Sequence, residues 1–261
     1  MQDINLFQTT ESSDEDSTAW AIPFADMMTL LLTLFILLLV ILKESEKFVD
    51  RQINLLLQET YEQLEEKIKN ENVSIERVTK GIQITLRGNL FQSMKADVNK
   101  NYIPIIQEIS KIIEDCRLFN IGGSKQYSSL ITFLEDGNQE LNVEIRCEGH
   151  TDDAILPPQS DYSNNWELSS ARSLRVVNIM NDASSISEKY FSYNGYGEFR
   201  PLINVSGIND FQKKKQARAY NRRVEIYLDA FARPKTKSSE DEFLKMVNDK
   251  LKKEENLQSK Y

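Results

Sequence analysis

The chain has 261 residues and a formal net charge of −8, with 40% hydrophobic and 28% charged residues. The negative charge, without any basic stripe, argues against nucleic-acid binding. Two cysteines and one histidine are too few ligands for a zinc site within this chain, and no cofactor is expected.

The N-terminal part of the chain changes abruptly in polarity. Residues 1–18 are acidic and contain no lysine or arginine, which predicts a polar tail. The run from Trp20 to Leu42 has no charged residue except Asp26 and would measure about 34 Å as a helix, enough to cross a bilayer core of about 30 Å. Because a basic n-region and a small-residue cleavage site are missing, segment 19–42 is predicted to be a retained transmembrane helix.

Asp26 is the unexpected residue of this apolar run. A carboxylate inside a membrane is costly and therefore indicates a functional site. Helical spacing places Asp26, Thr29 and Thr33 on one stripe. The alternative is an aspartate that caps the helix or reaches the membrane surface, but Asp26 lies about 9 Å inside Trp20, which is deep for a short side chain.

Residues 43–72 form a charged segment without glycine or proline. Apolar residues recur in it at spacings of three and four, which predicts an amphipathic linker helix. The members of this stripe are Ile53, Leu57, Tyr61, Leu64 and Ile68. Two interpretations remain open: the stripe packs on the chain's own domain, or it pairs with the same helix of a second copy.

From residue 73 the pattern becomes mixed. The alternating segments "GIQITLRG", "ELNVEIRCEG", "KYFSYNGYG" and "NRRVEIYLDA" predict strands, while "IPIIQEISKIIEDC" and "NNWELSSARSLRVVNIM" predict helices. The predicted order is β-α-β-α-β-β in an α+β domain over residues 73–231, with helices on one face of a small sheet. Residues 232–261 are predicted to be a charged, partly helical tail.

The two cysteines allow two interpretations of their own. Cys147 and His150 point to opposite faces of a strand, which argues against a nucleophilic pair. No other arrangement suggests an enzyme. If the domain lies outside the cytosol, Cys116 and Cys147 could form a disulfide, which the sequence does not decide.

Four motifs in this domain occur in a specific order. They are "EGHTD" (148–152), "NWELSSARS" (165–173), "GYGEFRP" (195–201) and "NRRVEI" (221–226). Together they resemble the OmpA-like peptidoglycan-binding domain over about residues 75–230. With "WAIPFADMMTLLL" (20–32) ahead of them, the chain resembles the MotB family of stator B subunits, which includes flagellar MotB- and PomB-like proteins and the Zorya anti-phage counterparts.

The resemblance implies a ligand, the free end of diaminopimelate in a peptidoglycan stem peptide, with an ammonium and a carboxylate on one carbon. Asp152 would bind the ammonium, and Arg172 would bind the carboxylate through its planar fork. Backbone N–H groups at Asn165 and Leu168 would face the same anion. The resemblance also implies that Thr151 and Arg223 line or support this site. The alternative interpretation is a plain salt bridge between Asp152 and Arg172.

The sequence departs from the family in two places. Many OmpA-like domains have "FD" after the first strand, whereas this chain has Phe91-Gln92 and so lacks one carboxylate. The segment between Cys116 and Leu141 is also longer than usual.

The resemblance further implies a motor function. Asp26 would carry H⁺ or Na⁺, with Thr29 and Thr33 as candidate oxygen donors, and the linker helix would act as a plug against ion leak. Expected partners are a multi-pass MotA-like A subunit, in a complex of five A subunits and two B subunits, a second copy of this chain, the membrane and peptidoglycan.

Orientation and cellular role rest on the wall-binding domain. Lysines after the span weakly favour a C-terminal part inside the cell. Peptidoglycan lies outside the plasma membrane, so we expect a cytoplasmic N-terminus and a C-terminal domain on the periplasmic, cell-wall side of the bacterial inner membrane. Flagellar rotation is the first expected role; the alternatives are a Zorya-type defence motor and a passive tether.

Overall fold

The computed structural model describes residues 20–92, 94–123 and 125–235. The chain divides into two compact units, Met1–Asp50 and Arg51–Tyr261. The predicted acidic tail at residues 1–18 lies outside the described residues. The predicted charged tail at residues 232–261 lies outside them from residue 236 onward, and its first residues, up to Pro234, belong to the last strand.

The first unit contains the apolar part of helix α1, which runs over Ala21–Lys67. Its most apolar window has a mean hydropathy of 2.6, and none of that window is buried. Within the described residues, α1 is the one helix long and apolar enough to cross a membrane. The segments predicted as a membrane helix and a linker helix thus belong to one helix, which ends at Lys67, before the predicted end at residue 72.

The second unit begins with the last part of α1, whose apolar stripe is covered. Among the predicted stripe residues, Ile53, Leu57, Leu64 and Ile68 are buried and Tyr61 is half-buried. On the same helix, Glu59 accepts a hydrogen bond of 2.8 Å from the hydroxyl of Tyr127 and lies 3.3 Å from Arg117. The interpretation in which this stripe packs on the chain's own domain is the one that the structure shows.

A five-stranded mixed sheet forms the centre of the second unit. Its strands are β1 (Val73–Val78), β2 (Gly81–Leu86), β3 (Gln139–His150), β4 (Phe191–Gly195) and β5 (Arg223–Pro234). The spatial order is β1-β2-β5-β3-β4, with β3 and β4 parallel and every other pair antiparallel.

The remaining helices supply the other side of the core. They are α2 (Ile103–Asp115), α3 (Ser128–Asp136), α4 (Asn165–Ala183) and α5 (Phe211–Asn221). Helix α2 buries Ile106, Ile109 and Ile113 completely, and its Ser110 hydroxyl donates a 2.7 Å hydrogen bond to the Met180 carbonyl of α4. Alternate strand residues such as Ile84, Ile145 and Ile226 are equally buried, so one sheet face forms the apolar core.

The expected α+β class is confirmed, and three elements go beyond the predicted order. Strand β1 is a half-buried edge strand, so its sequence alternates weakly. Helix α5 buries Ala217 and Asn221, while its aromatic residues Phe211 and Tyr220 are exposed, which leaves almost no apolar period. Helix α3 lies in the unusually long segment between Cys116 and Leu141.

Candidate functional site

A cleft of about 240 Å³ opens at one end of the sheet. Strands β2 and β3 end there and β5 begins there, so loops from three strands meet at the first turns of α4. The lining residues used below belong to these loops and to α4: Phe91, Gln92, Thr151, Asp152, Asn165, Leu168, Arg172 and Arg222. Five of the predicted peptidoglycan-binding residues therefore line one cleft.

Two glycines allow α4 to lie close to the sheet at this end. A β-carbon on Gly149 of β3 would collide with the carbonyl oxygen of Ser169, and one on Gly195 of β4 would collide with Ser170. Any larger residue at either position would push α4 away. The close approach of this helix holds Arg172 over the ends of the strands.

Asp152 lies at the start of the loop after β3 and is already paired. Its Oδ2 lies 2.6 Å from a terminal nitrogen of Arg222, and its Oδ1 accepts a 3.3 Å bond from the N–H of Ala154. The expected alternative, a plain salt bridge between Asp152 and Arg172, is not formed among the described residues. Asp152 and Arg172 line the same cleft, and they do not bind each other across it.

Arg172 is held rigidly from the helix side. Its side chain is 3% exposed, its Nε donates a 3.0 Å hydrogen bond to the Lys95 carbonyl, and its guanidinium lies 4.8 Å from the centre of the Phe91 ring. Burial lowers the pKa of Arg172 to about 10, and Arg222 adds to this while Asp152 opposes it. The group is still a cation near neutral pH, with its terminal nitrogens available for an anion.

The other predicted cleft residues support the site in ways that the sequence did not specify. The Asn165 amide donates to the carbonyls of Asp152 and Ala154, at 3.4 and 3.0 Å, and so fixes the loop that carries the carboxylate. Thr151 is buried, and its N–H bonds to the Gly197 carbonyl at 2.9 Å.

The expected backbone anion site is wrong at Leu168. Its N–H donates to the Asn164 carbonyl at 3.1 Å within the helix and is therefore occupied. The Asn164 side chain caps the helix by accepting from the Glu167 N–H, and Glu167 accepts in return from the Ser163 N–H. Leu168 contributes an apolar wall instead.

Arg223 does not line the cleft; its neighbour Arg222 does. The Arg223 side chain lies on the sheet face opposite the helices, where its Nε donates a 2.5 Å bond to Glu225. The pair of arginines in "NRR" was visible in the sequence, and strand alternation puts consecutive residues on opposite sides. No pattern in the sequence indicates the turn that brings Arg222 to Asp152.

A buried polar network surrounds Arg223. Potential ligand atoms of Glu148, His150 and Glu225 lie within 4.8 Å of one another, as in a metal site. However, each carboxylate already pairs with a guanidinium, Glu148 with Arg146 at 3.0 Å and Glu225 with Arg223. A dication would have to overcome these cations, so the group is an ion-pair network and does not fit a metal.

His150 sits in this network as a neutral ring. It is 2% exposed, and neither ring nitrogen has a hydrogen-bond partner among the described residues. Burial lowers the pKa of His150 to about 4, an effect to which Arg223 and Arg200 add and which Glu225 opposes. The ring stacks on Tyr196 with 5.4 Å between the ring centres, so it is held by packing.

The two cysteines are free thiols, which corrects the disulfide alternative. Cys116 is buried just after α2, where Thr60 and the N–H groups of Leu118 and Phe119 face its sulfur. Cys147 is buried inside β3, between Ile226 of β5 and Tyr193 of β4. Burial raises the pKa of both thiols, which keeps them protonated and unreactive.

The second candidate site lies in the apolar part of α1. The hydroxyls of Thr29 and Thr33 donate to the helix carbonyls of Asp26 and Leu30, at 2.7 and 2.8 Å. Their protons are therefore used within the helix, while oxygen lone pairs are left for a cation. Asp26 lies one turn from Thr29 on an exposed helix surface.

The described residues define a class: proteins that combine a helix long and apolar enough to cross a membrane with a mixed α/β domain that carries a cleft. Comparison with known families makes this specific. Residues 8–54 match the family model described as the membrane MotB of the proton-channel complex MotA/MotB. Residues 123–216 match the OmpA family. These two matches make the chain similar to proteins that join a MotB membrane segment to an OmpA-family domain.

Relatives from two systems resemble the chain. Motility protein B of Bacillus subtilis (strain 168) is 27% identical over 177 residues, which are 66% of this chain and 56% of that protein. Zorya protein ZorB of Escherichia coli O139:H28 (strain E24377A / ETEC) is 26% identical over 243 residues, which are 90% of this chain and 91% of that protein.

A solved structure supports the fold. The crystal structure of a MotB-like protein from Desulfovibrio vulgaris superposes with a TM-score of 0.51 at 17% identity. The superposition covers 71% of this chain and 99% of that one. At this identity the likeness concerns the fold alone.

Proposed function

We propose that this chain is the B subunit of an ion-driven rotary stator that powers flagellar rotation. Two features of the chain carry the proposal together: a carboxylate within an apolar helix, and a cleft lined by the carboxylate of Asp152 and the buried cation of Arg172. The first can carry an ion, and the second can hold the subunit to the cell wall. The proposal places the N-terminus in the cytoplasm and the domain on the periplasmic side of the inner membrane.

The cleft suits the zwitterionic end of diaminopimelate in a peptidoglycan stem peptide. Asp152 supplies the anion for the ammonium, and the terminal nitrogens of Arg172 supply a bidentate site for the carboxylate. The buried setting of Arg172 strengthens this attraction, since the local dielectric constant is low. Thr151, Asn165 and Leu168 shape the cleft, and Arg223 acts only indirectly, through the strand that follows Arg222.

Wall binding is tested by co-sedimentation of the full chain, in detergent, with purified sacculi. The double variant Asp152→Ala, Arg172→Ala should lose binding, and the milder Asp152→Asn should weaken it without disturbing the buried arginine. The matched control is Asp153→Ala, Arg218→Ala, which removes an exposed ion pair of the same chemistry outside the cleft. Sacculus binding by the cleft variants equal to that of the control would reject this site.

The ion-carrying step rests on Asp26. When it is neutralised by a cation, the side chain becomes cheap to hold against apolar surroundings, and when the cation leaves, the charge returns. Each monovalent ion that moves down a potential of 100 mV releases about 2.3 kcal/mol. A MotA-like ring of A subunits would convert this energy into rotation around a pair of B subunits held by the wall. Thr29 and Thr33 are the candidate oxygen donors if the ion is Na⁺.

The test is Asp26→Asn together with the A subunit, assayed as ion flux into vesicles under H⁺ and Na⁺ gradients and as motor function in cells. The amide cannot cycle between charged and neutral forms, so flux and rotation should stop while sacculus binding persists. Full activity of the Asn variant would exclude Asp26 as the ion carrier. Loss of Na⁺ flux alone in Thr29→Val would assign Na⁺ as the ion.

Two other functions are alternatives, and one of them has specific support. The ZorB relative aligns with 90% of this chain, which favours the same type of motor in Zorya-type anti-phage defence; flagellar or defence genes beside this one would decide between them. A passive membrane-to-wall tether uses the cleft alone, and it predicts that Asp26→Asn changes nothing.

A further inference from the structure

The charges in the cleft do not balance. Among its lining residues, Asp152 is the carboxylate, whereas Arg172 and Arg222 are both cations. Arg218, which lies nearby, donates two hydrogen bonds of 2.6 and 3.0 Å to Asp153, so this ion pair adds no net charge. The cleft therefore has a formal charge of +1, and a zwitterion with no net charge leaves one cation uncompensated.

The two arginines are held in different ways. Arg172 is 3% exposed and contacts the Lys95 carbonyl and the Phe91 ring, so the orientation of its guanidinium is fixed. The Arg222 side chain is 37% exposed and has one contact in the cleft, its bond to Oδ2 of Asp152. Arg222 can therefore turn toward a ligand at a small cost while it stays near the carboxylate.

We propose that Arg222 is a second carboxylate-binding group that makes the cleft select stem peptides ending in diaminopimelate. This inference rests on the proposed wall-binding function and names its ligand more closely. A terminal diaminopimelate residue carries one free ammonium and two free carboxylates, a net charge of −1. When another residue follows, the second carboxyl is consumed in a peptide bond, and the diaminopimelate residue is neutral.

The terminal form matches the cleft group by group. The ammonium binds Asp152, the carboxylate on the same carbon binds Arg172, and the second carboxylate binds Arg222. The ligand ammonium replaces Arg222 at Asp152, so Asp152 keeps a cationic partner and Arg222 is released to bind the second carboxylate. The free acid therefore makes one charge-assisted hydrogen bond more than the amide, which should raise its affinity about tenfold or more.

The experiment compares two synthetic peptides on the full chain in detergent, by calorimetry. Both are tripeptides that end in diaminopimelate with its far amino acid end free. They differ in the second carboxyl group, which is free in one and amidated in the other. The unaltered chain should prefer the free acid about tenfold or more. Arg222→Gln should abolish this preference while retaining the weaker binding, and the control Arg218→Gln should keep it.

Each of the following outcomes would contradict the assignment of Arg222 as a second carboxylate-binding group. Equal affinity of the unaltered chain for both peptides would exclude a second carboxylate site, and this comparison needs no variant to fold. An equal loss for both peptides in Arg222→Gln would mean that Arg222 only supports Asp152. Failure of both peptides to bind the unaltered chain would reject the proposed wall-binding function itself. Arg172→Gln should lose both peptides, so this variant tests the wall-binding function separately from the role of Arg222.

Discussion

Arg172 shows why the type of cation matters at the residue scale. The guanidinium makes two interactions at once, an Nε bond to the Lys95 carbonyl and a face against Phe91, while its terminal nitrogens remain for a ligand in the cleft that it lines. A lysine ammonium is a point charge and cannot make both contacts and still present a bidentate site from a buried position. The rigid positioning of the charge therefore depends on arginine.

We expect Arg172→Lys to bind sacculi or the stem peptide at least about tenfold more weakly, although the formal charge is unchanged, since a bidentate contact is lost. Calorimetry with the free tripeptide measures this. Arg175→Lys, at an exposed position on the same helix, is the matched control and should bind normally. Equal affinity of both variants would mean that charge alone suffices.

His150 makes stability depend on pH. Its pKa is about 4 in the folded chain against 6.5 ordinarily, because burial disfavours the imidazolium. Below pH 6.5 the unfolded chain binds a proton that the folded chain excludes, so stability is lost as the pH falls from about 6.5 toward 4. Burial raises the pKa of Glu148, which acts in the opposite direction on acidification.

His150→Phe should remove this dependence. The phenyl ring can keep the stack on Tyr196, while no group is left to protonate. At pH 7 the two proteins should differ little, and by pH 4 the unaltered chain should have lost about 3 kcal/mol relative to the variant. Urea unfolding at a series of pH values provides the measurement. Parallel pH profiles would show that His150 does not titrate in this window, where the chain has no other histidine.

At the scale of elements, the last part of α1 belongs to the domain that follows it. Leu56 and Leu64 are completely buried, whereas Leu55, next to one of them, is 48% exposed. Leu55 and Leu56 have the same side chain and the same helix propensity, so a comparison of their alanine variants isolates the effect of burial on stability.

Leu56→Ala should cost about 2–5 kcal/mol, through lost transfer energy and the cavity left behind, and Leu55→Ala much less. Denaturant unfolding at two protein concentrations checks this. If the stripe instead pairs with a second copy, the loss in Leu56→Ala should depend on protein concentration, and that result would overturn the assignment to the chain's own domain.

The contact between α4 and the strands depends on Gly149. We expect Gly149→Ala to shift α4 and to weaken both folding and peptide binding, since the added methyl group meets the Ser169 carbonyl. Gly207→Ala is the control, because a β-carbon there meets nothing within 4 Å. Thermal unfolding and calorimetry on both variants give the result, and normal binding by Gly149→Ala would show that the helix can adjust.

These elements show what the sequence could predict. Strong alternation located β2, β3 and β5, because alternation is a local property of the sequence. Asp152 and Arg172, which line one cleft, were paired through the resemblance to the OmpA-like domain, and local periodicity does not predict that pairing. The partner of Asp152 could not be predicted, because Arg222 reaches it across 70 positions in the chain. The hydrogen bond from Arg172 to the Lys95 carbonyl could not be predicted either, because every residue type has a backbone carbonyl and the identity of residue 95 therefore carries no information about this bond.

At the scale of the whole molecule, the proposed stator subunit joins an ion-carrying helix to an anchoring domain, and under this proposal neither part would do work alone. An ion moving past Asp26 would release energy as motion, and that motion would turn a partner only if the chain itself were held. In a stator with two identical B subunits, each complex contains two copies of Asp26. The requirement for both copies can be measured by mixing chains.

Co-expression of Asp26→Asn with the unaltered chain at equal levels should reduce motor function to about one quarter if each complex needs two carboxylates, because random pairing leaves about one quarter of the dimers unaltered. Motor speed and ion flux, followed against the expression ratio, give the dependence. Asp153→Ala, outside the cleft and the helix, should have no such effect when co-expressed. A linear fall to about one half would mean that the copies work independently, and no fall would mean that the Asn chain does not enter the complex.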